Sequence, residues 1–192
     1  ADVNITYEVE VPTGVVAVPV SFMNAAQTEI TGTAIDPVSG ISSVEIAISS
    51  DSGGVAGSWY NGVGFTADLG DSGTYRSTTT WTDLGAGLIS WEFTRPTLEQ
   101  GKVYSVLLRT TDNAGNQQVQ VLADRVTFLY DGLVPAATLL APNSDFENSL
   151  PTISGGSTDS TTDITQVQVT ISTGGISFEN QFWNGSAWVG SE

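Results

Sequence analysis

The chain of 192 residues has no cysteine and no histidine, and Lys102 is its one lysine. Each absence removes a class of chemistry. Without cysteine there is no disulfide framework, so stability must come from a packed core or from bound metal. Without histidine there is no Ser-His-Asp triad, no Cys-His pair and no His-ligated zinc. A Schiff-base lysine or a phosphate-cradling P-loop is equally out of reach with a single lysine beside Gly101. A carboxylate pair of the glycosidase kind is compatible with the composition, but no spacing points to one. The expectation is therefore a protein that is not an enzyme. No run of apolar residues is long enough for a membrane span, so no membrane insertion is expected. No signal peptide is read in the sequence; the opening "ADVN" fits the residues after a removed signal or an internal cut of a longer chain, and the repeat described below favours the second.

What is present is acid. Asp and Glu number 21 against five Lys and Arg, a net charge of −16. Such a surface repels phosphate backbones and anionic lipid, which argues against nucleic acid as a partner, and it attracts divalent cations. Charged residues are only 14% of the chain, while hydrophobic residues reach 40% and glycines number 21. That balance suits an all-β protein with many turns rather than a helical bundle.

The sequence also repeats itself. Displaced by 123 positions, residues 1–69 align with 124–192 without a gap. Val11-Pro12 falls on Val134-Pro135, Ile30 and Gly32 on Ile153 and Gly155, and Asp36 on Asp159. Val44 and Ile48 meet Val167 and Ile171, and Asn61-Gly62 meets Asn184-Gly185 between aromatic flanks in both copies. The matches sit on turn residues and on alternating apolar positions, which a shared fold would constrain. This reading divides the chain into 1–11, the terminal strand or linker of a preceding repeat; 12–131, a complete domain; and 132–192, the N-terminal half of a second. A half domain leaves apolar faces uncovered, to be completed by another chain or by further residues.

Period-two alternation marks the strands. They are expected at 15–21 ("VVAVPVS", with Pro19 suiting an edge), 29–35, 42–49, 75–81, 88–94, 103–111 and 117–130. Between them "GSWYNGVGF" reads as a hairpin with Asn61-Gly62 in a tight type I′ turn. The order "ITGTAID", "ISSVEIAI", "YNGVGF", "VYSVLLRTTDNAGN" resembles the bacterial immunoglobulin-like repeats of large cell-surface and secreted proteins. The resemblance covers nearly the whole chain. It implies an all-β, immunoglobulin-like β-sandwich in tandem repeats of about 123 residues. It also implies an extracellular or cell-surface location and a structural or adhesive role as spacer or stalk. Neighbouring repeats, in the same or an adjacent chain, are the implied partners.

In a sandwich of that kind the loops after the second and sixth strands share one pole, where the chain enters. Asp36 opens the first loop and Asp112 the second, "DNAGN"; the entering "YEVEVP" brings Glu8. Calcium takes six to eight oxygens at about 2.3–2.6 Å. Glu8, Asp36, Asp112 and either Asn113 or Asn116 are the candidate ligands, with Asp131 and Asp159 as the repeat-equivalents of Glu8 and Asp36. The other reading of the loop is an ordinary turn, in which Asp112 and Asn116 bond the backbone and Gly115 takes positive φ. The alternative function is a carbohydrate- or ligand-binding module, with Trp59, Trp183 and Trp188 at the hairpin tips as candidate stacking faces for a cell-surface or matrix glycan. An accessory domain of a larger secreted hydrolase also fits. Trp81 and Trp91 lie in apolar strands and are expected in the core.

Overall fold

The computed structural model describes residues 5–50, 58–66, 74–121, 124–142, 148–149, 152–173 and 181–190. The protein is all-β, with several antiparallel sheets. It divides into two compact units, Ala1–Leu133 and Val134–Glu192. Among the described residues no helix is long and apolar enough to cross a membrane.

The first unit contains β1 (Thr13–Val18), β2 (Phe22–Asn24), β3 (Glu29–Ile35), β4 (Ile41–Ser49), β5 (Trp59–Tyr60) and β6 (Phe65–Thr66). It continues with β7 (Arg76–Ser77), β8 (Thr80–Gly85), β9 (Leu88–Thr94), β10 (Val103–Asp112), β11 (Gln117–Val119) and β12 (Val126–Asp131). One sheet runs β1-β3-β9-β8; the other runs β2-β12-β10-β4-β5-β6, with β11 beside β10 and β7 beside β4. All pairings are antiparallel except β2 with β12, which is parallel.

Alternation explains how the two sheets share a core. Ile30 and Ala34 of β3 and Ile89, Trp91 and Phe93 of β9 project from one sheet. Ile46 and Ile48 of β4, Tyr104, Val106 and Leu108 of β10 and Phe128 of β12 meet them from the other. Gly32 lies opposite Trp91, and a side chain there would run into the indole and the Val15 carbonyl. The glycine is thus what lets a fully buried tryptophan lie flat across the sheet. A second buried group joins Ala47 of β4 and Leu107 of β10, which alternate with the core residues, to Trp59 of β5 and Tyr75 just before β7. Beside it the Arg109 guanidinium forks onto Glu45 at 2.8 and 3.0 Å and covers the Tyr75 ring at 4.2 Å.

Several expectations need correction. Residues 15–21 do not form one strand: β1 stops at Val18 after a bulge, and β2 starts at Phe22 in the opposite sheet. Pro19 has no N–H to continue the ladder, so the chain changes sheets there. The stretch 117–130 likewise splits into β11 and β12. The turn at Asn61 spans four residues, because Tyr60 pairs with Phe65. Its Oδ1 accepts the Val63 and Gly64 N–H at 2.9 Å each, an Asx turn in place of a type I′ turn. Trp81 pairs opposite Trp91, yet it is 51% exposed because β8 is the sheet edge and little lies over it.

In the second unit β13 (Ala136–Ala141) pairs with β14 (Ser154–Thr158), and β15 (Ser172–Thr173), β16 (Gln181–Trp183) and β17 (Trp188–Gly190) form a small meander. Every β13–β14 rung is a β1–β3 rung displaced by 123 residues, from Ala136↔Thr158 against Thr13↔Ile35 to the same bulge. Trp183↔Trp188 likewise stands where Tyr60↔Phe65 stands in the first unit.

Candidate metal centre

Glu8, Asp36 and Asp112 each offer a carboxylate oxygen, and the three lie within 4.8 Å of one another. The sheet order brings them together. Asp36 directly follows β3, Asp112 ends β10, and Glu8 is carried in by the segment that precedes β1.

The loop at Asp36 is organised by its own side chain. The backbone N–H groups of Val38, Ser39 and Gly40 donate to Oδ1 at 3.0, 2.8 and 3.1 Å. The Asp36 N–H donates to the Gly87 carbonyl at 3.0 Å, and Gly87 holds φ +75 with no room for a side chain against the Asp36 carbonyl. Asp36 is 2% exposed. The "DNAGN" loop is laced to it: the Asn113 N–H donates to the Gly40 carbonyl at 3.0 Å, and Nδ2 to the Ser39 carbonyl at 2.7 Å.

Asp112 is equally buried. Asn116 donates its backbone N–H to Oδ1 at 2.8 Å and its Nδ2 to Oδ2 at 2.9 Å. Burial works to raise the Asp112 pKa. Hydrogen bonds from the Asn116 side chain and from the Asn116, Gly115 and Ala114 backbone outweigh it and hold the group below its ordinary value. The acid is thereby kept charged in a place with little water.

Glu8 differs from both. Its two carboxylate oxygens are buried, and neither has a hydrogen-bond partner among the described residues. A buried carboxylate with no donor, next to two more carboxylates, is costly unless a cation lies among them. The donor set is all oxygen, which suits a hard cation such as calcium and not zinc or copper.

No protein-family model matches the chain, and no curated protein matches it. Among solved structures, the crystal structure of an engineered protein aligns at 14% identity with a TM-score of 0.33. That alignment covers 64% of this chain and 20% of the other, so this chain spans about a fifth of that protein's length.

Of the six acids and amides expected as ligands, the structure gathers Glu8, Asp36 and Asp112. Asn116 is adjacent but acts as a donor, to Asp112 and to the Glu8 carbonyl at 3.4 Å, and so positions the others. Asp131, at the end of β12, accepts from Gln100 Nε2 at 2.7 Å. Asp159, in the second unit, accepts from the Thr161 and Thr162 N–H at 2.8 and 2.9 Å, the bonding that Asp36 makes. Asn113, the alternative amide ligand, instead donates its Nδ2 to the Ser39 carbonyl and bridges the two loops. Gly87 was not foreseen as part of the site, although glycines flanking Ala86 mark a tight turn. Of the three candidate stacking faces, Trp59 is buried, while Trp183 and Trp188 are 41% and 43% exposed and meet edge to face at 5.6 Å.

Proposed function

We propose that the chain is part of an extracellular or cell-surface array of immunoglobulin-like β-sandwich repeats, bacterial in type, acting as a structural or adhesive spacer. In this reading calcium fixes each unit to the segment that enters it. The observation that carries it is Glu8: a carboxylate from the entering segment, buried and unpartnered, against the two loop acids Asp36 and Asp112. A cation there would tie the incoming chain to both loops and replace repulsion with a shared ligand set. The displaced but identical rungs of β1–β3 and β13–β14 support the repeat, and the neighbouring repeats are the partners.

Isothermal titration of the chain with calcium tests this. Saturable binding near one ion per chain, lost in Asp36→Asn, is the expected result. No heat at millimolar calcium would return "DNAGN" to an ordinary turn and leave a metal-free spacer. A second reading, a glycan-binding module, draws on the half-exposed Trp183–Trp188 pair. A glycan-array signal abolished by Trp188→Ala would favour it.

A further inference from the structure

Among the described residues the β14 edge of the second unit has no partner beyond β13, and the first unit carries the pattern of what fits it. In the first unit β3 is flanked on one side by β1 and on the other by β9, with Trp91 lying over Gly32. In the second, β14 repeats β3 with Gly155 in place of Gly32, and its sheet holds β13 and β14. A side chain at Gly155 would meet the Thr138 carbonyl, as one at Gly32 would meet Val15, but among the described residues no ring lies against Gly155.

Exposure tells the same story. Ile153, Val167 and Val169 are 37%, 60% and 63% exposed, whereas their counterparts Ile30, Val44 and Ile46 are 0%, 4% and 0% exposed. Together with Leu139 and Gly155 these residues line an open groove of about 490 Å³. The strand edge supplies backbone donors and acceptors, and the groove supplies a place for alternate apolar side chains.

We propose that this edge and groove dock one kind of occupant, a polypeptide strand of the β9 type. It runs antiparallel to β14, is apolar at alternate positions and sets a large aromatic directly opposite Gly155. The register follows from the first unit: Trp91 faces Gly32 and Phe93 faces Ile30, so the docked strand places its aromatics opposite Gly155 and Ile153. Glycine at 155 is what makes the aromatic specific, because an indole needs the space that any side chain there would fill. A strand of the β10 type, following directly, covers residues 164–172 as β10 covers β4. This rests on the repeat reading above.

The probe is a synthetic peptide of residues 87–112, which carries β9 and β10, added to the whole 192-residue chain. Hydrogen exchange read by mass spectrometry locates it. The expected result is saturable protection at 153–158 and 164–172. The Trp91→Ala peptide should bind about tenfold or more weakly, and a Gly155→Val chain should not respond. The Ala peptide keeps the test sound if Gly155→Val perturbs the second unit. Absence of added protection, equal binding of the two peptides, or protection confined to residues 13–131 would overturn the proposal. The free chain separates the two ideas. If the β13–β14 amides are unprotected before peptide is added, the repeat reading fails; if they are protected and the peptide adds nothing, only the docking proposal fails.

Discussion

Replacing Glu8 by glutamine changes charge and little else, and its stabilising effect should shrink when calcium is added. The Glu8 and Asp36 oxygens lie within 4.8 Å. At an effective permittivity of about 20 that pair alone repels by about 3 kcal/mol. Both Glu8 oxygens also lack a donor, which adds desolvation to the charge repulsion. In chelator, Glu8→Gln should therefore raise the melting temperature, on the order of 5–10 °C for a unit of this size. Calcium at about a hundred times its Kd stabilises the native chain by about 2.7 kcal/mol, or about 10 °C. The variant, with one carboxylate fewer, should bind calcium more weakly and gain only a fraction of that shift. Differential scanning calorimetry of both chains, in millimolar calcium and in chelator, gives four curves. The reasoning is refuted if Glu8→Gln melts below the native chain in chelator, for then Glu8 is stabilising on its own. It is also refuted if both chains gain equally from calcium.

Trp91→Ala should destabilise by about 3–5 kcal/mol in urea titration, because the indole is fully buried against Gly32; Trp81→Ala, at the exposed edge, should cost under about 1 kcal/mol. Gly87→Ala should cost about 2 kcal/mol or more by the same assay, since it combines φ +75 with a clash against the Asp36 carbonyl. The Asp112 pKa is depressed in the folded chain, so its contribution is complete above the ordinary value of 3.8 and is lost as pH falls through the folded value. Chemical unfolding in chelator across that acid range should show a decline that Asp112→Asn flattens.

How much of this was legible before the fold was known depends on what each residue faces. β3 and β9 fall where alternation puts them, since each buries one face along its length. The same rule misjudged residues 15–21, because a period of two says nothing about which sheet a strand joins. There the missing N–H of Pro19 and the bulge before it decided the matter. Trp81 shows the complementary limit. Its parity is that of Trp91, but burial also requires something opposite, and an edge strand has less of it. The acids were legible as a set because two of them open loops at the ends of paired strands. Asn116 was expected to give an oxygen and instead gives its amide hydrogens to Asp112. Which end of an amide faces a site depends on its neighbours in space, and sequence spacing does not record that.

Among the described residues the one parallel pairing of the first unit bears on how the unit would respond to a pull on its two ends. β2 and β12 are joined by Phe22↔Leu129, Met23↔Tyr130 and Asn24↔Asp131. A pull past β1 reaches β2 at its N-terminal end, while the opposing pull leaves β12 at its C-terminal end. In a parallel pair those forces act in opposite directions along one axis, so they slide the strands past each other. The rungs then share the load and fail together, where a hairpin pulled from its open end would unzip one rung at a time. A unit stitched this way resists stretching in proportion to all of its terminal rungs at once.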